Sequence, residues 1–70
     1  MPAPPQNFVD PEDLGKRVTF QFELPNGYLG EAVGTLESYD RAAETYLVRN
    51  RDGELLRVPR RGVRFGRVIG

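Results

Sequence analysis

The chain has no cysteine and no histidine, a single serine (Ser38), a single lysine (Lys16) and one methionine. These absences exclude whole chemistries. Without cysteine there is no disulfide and no thiolate nucleophile. Without histidine there is no imidazole base, and Ser38 lacks the partner that a hydrolase triad requires. A zinc cluster of the Cys/His kind cannot form, and no run of Asp and Asn at loop spacing offers oxygen ligands to a hard cation. Small domains usually rely on such staples. A chain of 70 residues buries only about 60% of its unfolded surface, so this one must rest on a compact apolar core. The lack of cysteine also fits a reducing compartment. No apolar run approaches the roughly 18 residues of a membrane span. Met1-Pro2-Ala3-Pro4-Pro5 has neither the basic residue nor the apolar stretch of a secretory signal. The reading is a cytoplasmic domain with no cofactor, no metal and no membrane association.

Four of the six prolines fall in the first eleven residues, a composition that keeps a terminus extended. Residues 1–9 are expected to form a disordered tail, with Phe8 and Val9 able to fold back on the core, and residues 10–70 to form the domain. Asp10-Pro11-Glu12-Asp13 carries a cap, a proline suited to the first helical position and two acids at the positive end of the dipole. It predicts one short helical turn, stopped at Gly15.

From Lys16 the period changes to two. Val18, Phe20, Phe22 and Leu24 alternate with Thr19, Gln21 and Glu23, the pattern of a half-buried strand. Pro25-Asn26-Gly27 is a turn, because proline presets φ and Asn and Gly tolerate positive φ. A long strand over 28–39 follows, with Ala32, Gly34, Leu36 and Ser38 on one face. Gly30 and Gly34 mark an expected bulge or bend. Asn50-Arg51-Asp52-Gly53 signals a hairpin. Pro59 ends the strand before it, since it lacks a ladder donor. The predicted strands are 16–24, 28–39, 45–50, 54–58 and 64–69, with a one-turn 3-10 link before the last. This describes an all-β, five-stranded SH3-like barrel, whose closure removes strand edges. The predicted core is Leu14, Val18, Phe20, Phe22, Ala32, Leu36, Tyr46, Val48, Leu56, Val58, Val63 and Val68.

Net charge is zero, but the charges are segregated. Residues 1–45 carry eight acids against three bases, a balance of −5, and residues 46–70 carry seven arginines against two acids, a balance of +5. Arg57, Arg60, Arg61, Arg64 and Arg67 crowd the last turn. Guanidinium groups grip carboxylate or phosphate in a fork and stack on rings, and Tyr39 and Phe65 lie nearby as stacking surfaces. These seven residues form the candidate partner-binding set. Two readings stay open: a basic binding face, or arginines paired with the acids of the first half across the sheet. The remaining motifs read as structure. Glu12 with Asp13 suits a cap, Asp52 and Glu54 flank a turn, and the glycines at 27, 30 and 34 match no phosphate-binding pattern and precede no helix. A catalytic role is not expected.

Two family resemblances follow from motifs taken in order. Leu14-Gly15-Lys16-Arg17-Val18, Leu24-Pro25-Asn26-Gly27, Glu31-Ala32-Val33-Gly34-Thr35-Leu36, Arg51-Asp52-Gly53-Glu54, Val58-Pro59-Arg60 and Gly66-Arg67-Val68-Ile69 resemble the SH3-like domain at the N-terminus of certain actinobacterial GNAT-family acetyltransferases. The resemblance covers residues 14–70. It implies an accessory, protein-binding module, either freestanding or excised from a larger enzyme, with an acetyltransferase among its candidate partners and no acetyl-CoA-binding residue carried over. Gly15-Lys16, Val18, Asn26-Gly27, Gly34, Leu36, Tyr39-Asp40, Arg61-Gly62 and Arg64 are similar to the two motifs of Sm-like RNA-binding proteins. That resemblance implies an Asp in a uridine pocket, met by Asp40, and an Asn four residues later, where this chain has Glu44. Its implied alternative is a nucleic-acid-binding small barrel using the arginine cluster. The expected assembly state is a monomer or weak homo-oligomer.

Overall fold

A computed structural model describes residues 6–69. The chain is all-β: β1 (Gln6–Asn7), β2 (Arg17–Glu23), β3 (Leu29–Asp40), β4 (Thr45–Arg49), β5 (Leu55–Pro59), a 3-10 turn (Arg60–Gly62) and β6 (Val63–Val68). The five predicted strands appear within a residue or so of their expected bounds. Alternating residues and turn chemistry are local signals. Gly27 and Gly53 take φ of 87° and 82°, and the Asn50 carboxamide oxygen accepts from the amides of Asp52 and Glu54, which closes that hairpin.

The strands form a single open six-stranded sheet in the order β1-β6-β2-β3-β4-β5. These pairings do not close the expected five-stranded barrel. The far edge of β6 is covered by β1, in parallel pairing Gln6↔Phe65 and Asn7↔Gly66, and not by β5. The sheet nevertheless coils over one core. β3 pairs with β2 from Leu29 to Thr35 and with β4 from Thr35 to Asp40, so a single strand turns the corner. Residues from distant strands then meet in one cluster: the Phe20 and Tyr46 rings lie 4.8 Å apart.

Further expectations are corrected. Gln6 and Asn7 form a strand where a disordered tail is expected, Val9 folds back on the core as allowed for, and residues 1–5 lie outside those described. Val9 is buried, the Phe8 amide donates to the Gly66 carbonyl at 2.9 Å, and Phe8 itself faces solvent. The helical turn at Asp10–Asp13 is a hydrogen-bonded turn without a helix. Asp10 and Asp13 bond each other's backbone, and Gly15, at φ 82°, passes its amide to the Leu36 carbonyl. Leu14 is therefore 53% exposed, and Val9 takes the core position expected of it. Leu56 and Val68 are only partly buried. Finally, the ladder irregularities fall between Leu36 and Ser38 and between Gln21 and Phe22, not at Gly30 or Gly34. Gly34 marks a close approach instead: a Cβ there would sit 2.1 Å from the Arg49 carbonyl oxygen.

Candidate functional site

Alternation along β5 and β6 scatters the arginine cluster over the surface. Arg64 pairs with Glu23, and Arg61 with Glu44 at 2.9 Å. Arg49 forks onto Glu37 at 2.8 and 3.2 Å. Three of the five ion pairs among the described residues thus join an acid of the first half to an arginine of the second, the second of the two readings of the charge segregation. Arg57 stands opposite Leu47 on β4. Arg67 and Phe65 share the outer face of β6, opposite Thr19 and Gln21 of β2.

Of the seven candidates, Tyr39 and Arg60 are brought together, with Arg61 next in the chain and paired to Glu44. They sit at the end of the sheet where Thr45 opposes Pro59 and the Arg60 amide donates to the Glu44 carbonyl at 2.9 Å. Tyr39 packs edge-on against the buried Tyr46, centroids 5.0 Å apart, so its ring is backed by the core. The Arg60 guanidinium lies 6.0 Å over that ring, within cation–π range. Tyr39, and after it Tyr46, hold Arg60 further into its charged range. The N-terminal segment completes this end: Asn7, Phe8, Val9, Asp10, Pro11 and Arg60 line one hollow, and Phe8 is 67% exposed. Asp40 is occupied locally, its carboxylate accepting from the amides of Ala42 and Ala43. Together with the Glu44–Arg61 pair, this gives both positions of the Sm-like comparison a structural task.

A second basic surface was not singled out from the sequence. Arg17, Val33, Gly34, Thr35, Arg49, Asn50 and Arg51 line a hollow of ≈ 420 Å³. It adjoins a hollow of ≈ 690 Å³ formed by Gly15, Lys16, Arg17, Val68 and Ile69. Its arginines come from β2, β4 and the following turn, so density along the chain does not reveal them. The signal available was phase: Arg17 and Arg49 both fall on the outward positions of their strands.

The two carboxylate–cation pairs Asp13–Lys16 and Glu37–Arg49 share one chemical trait. Asp13 is held below its usual range by hydrogen bonds from Lys16 and the Asp10 backbone, and Glu37 by its bond from Arg49. Lys16 and Arg49 are raised by the same partners. Every one of these shifts leads away from neutrality, whereas general acid–base chemistry wants a group poised near it. Among the described residues, no three acidic side chains gather closely enough to hold a metal ion, and no helix is long and apolar enough to cross a membrane. Comparison with known protein families, with curated proteins and with solved structures finds no match to this chain.

Proposed function

We propose that this chain is a non-enzymatic, cytoplasmic interaction module of the SH3-like barrel type, which docks on a protein partner through the end built around its 3-10 turn. The strand order β6-β2-β3-β4-β5, the corner in β3 and the 3-10 link before β6 support the fold assignment. The observation that carries the function is Arg60 stacked on core-backed Tyr39 beside exposed Phe8. Ring and guanidinium anchors of this kind dominate the binding energy of protein interfaces. The resemblance to acetyltransferase accessory domains makes such an enzyme a candidate partner. The test is titration of the isotope-labelled protein with an acetyltransferase catalytic domain and with acidic peptides. Resonances of Phe8, Tyr39, Arg60 and Arg61 should shift, and Arg60→Ala with Arg61→Ala should abolish the shift while leaving the spectrum folded. Absence of shifts at this end would sink the reading.

A second reading, nucleic-acid binding, is favoured by Phe65 and Arg67 sharing the outer face of the sheet. Single-stranded oligonucleotide affinity would then fall steeply with salt. Flat salt dependence removes it.

A further inference from the structure

We propose that the hollow where β2, β3 and β4 cross is a second docking site, which captures the carboxylates of an acidic, aliphatic-containing segment of a partner protein. It is independent of the end around the 3-10 turn. Thr35 stands directly opposite Arg17 on one side and Arg49 on the other, which sets β2 and β4 about 10 Å apart across it. Gly34 makes the crossing possible by bringing the β3 backbone against the Arg49 carbonyl. Arg49 forms a fixed wall, because three of its five N–H donors are engaged by Glu37 and the Gly53 carbonyl. Arg17 and Arg51 have no carboxylate within ion-pair distance among the described residues. Among the described residues these are two guanidinium groups without a paired acid, both on one hollow. Asn50 uses its oxygen within the hairpin, so its Nδ2 donor is available beside them.

The surroundings select among anions. Val33 lines the hollow and is 42% exposed, and Leu55, opposite Arg49, is 40% exposed. No aromatic ring lines it on which a base could stack. Glu37 at its wall, Asp52 next to Arg51 and Glu31 two residues from Val33 interrupt any longer basic track. A polynucleotide, which needs a continuous basic groove, meets carboxylates on leaving the hollow. A peptide with two carboxylates around an aliphatic residue satisfies both guanidinium groups in forked geometry and covers Val33. The site lies at the Arg49–Leu55 end of the β4–β5 hairpin and the 3-10 turn at the Thr45–Pro59 end, about 13 Å away along the strands. One partner segment could reach both.

The test uses the full chain and a capped hexapeptide with two glutamates flanking a leucine, the glutamine version of that peptide, and an oligouridylate. Amide resonances of Arg17, Thr35 and Arg51 should shift saturably with the glutamate peptide and not with its glutamine version. Arg17→Gln with Arg51→Gln should weaken binding roughly tenfold or more while the remaining amides keep their positions. If the double substitution perturbs the fold, Arg51→Gln alone, in the exposed turn, carries the same expectation on a smaller scale. Equal affinity of wild type and variants, binding of the glutamine peptide, or tighter binding of the oligouridylate at these residues overturns the proposal. Shifts confined to Tyr39, Arg60 and Arg61 overturn it too, while leaving the docking end intact.

Discussion

A methyl group on residue 34 would lie 2.1 Å from the Arg49 carbonyl oxygen and 3.0 Å from the Asn50 Cα. Both are backbone atoms, so nothing there yields by rotating a side chain. Gly30 differs: its added Cβ would meet the ends of Phe22 and Leu24 at 3.3 and 3.4 Å, which flexible side chains can accommodate. We therefore expect Gly34→Ala to cost about 3 kcal/mol or more, the upper range for overpacking. Gly30→Ala should stay within about 1 kcal/mol, since the loss of unfolded-state freedom offsets part of the crowding. Urea unfolding of the two variants checks the pair, and similar midpoints would count against the close approach. For a domain this small, with total stability of only about 5 kcal/mol, the first substitution would leave little folded protein. Because Gly34 also shapes the Arg17–Arg51 hollow, that loss ties the site to the fold.

The most consequential element is also the shortest. β1 is held by the Phe8 amide on Gly66 and by Tyr46, whose buried hydroxyl donates to the Val9 carbonyl at 2.9 Å and accepts from Asn7 Nδ2 at 3.2 Å. Tyr46→Phe removes that clasp and leaves a carbonyl without its partner, a loss of about 1–3 kcal/mol. Hydrogen exchange should show the Phe8 amide losing protection while β2 to β4 keep theirs; unchanged protection at Phe8 would mean the clasp is dispensable. This element could not be read from the sequence. Its partners lie 37 and 39 residues away, and the prolines before it argue for a loose tail. The other five strands were legible because Val18-Thr19-Phe20-Gln21-Phe22 and the Asn-Gly and Asp-Gly turns act on their neighbours. The candidate site was legible in part. Tyr39 and Arg60 do meet, but strand alternation sent Arg57, Phe65 and Arg67 elsewhere, Glu23 took Arg64 and Glu44 took Arg61. Crowding along a chain is not crowding in space when every second residue faces the other way.

At the scale of the molecule, a chain of zero net charge folds an acidic half against a basic one through pairs that all lie at the surface. Exposed pairs of this kind are individually weak. Their collective signature is the shape of the pH profile. The carboxyls of Asp13 and Glu37 are lowered in the folded protein. Their stabilisation is present above the ordinary carboxylate value near 4 and disappears as pH falls through the lower folded values. Lys16 and Arg49 are raised. Their stabilisation is complete below the unfolded value, about 10 for lysine, and is lost only as pH rises past the folded one. With no histidine, no side chain of ordinary pKa titrates between about pH 5 and 9. The thermal midpoint should therefore be level across that window and fall on acidification below about pH 4. Glu37→Gln should flatten the acid limb and, by freeing Arg49, draw acidic peptides more strongly to the neighbouring hollow. Circular dichroism melts over the pH series test the first part. A midpoint that moved between pH 5 and 8 would contradict the assignment of the Asp13, Lys16, Glu37 and Arg49 shifts to pairs whose charges persist across neutrality.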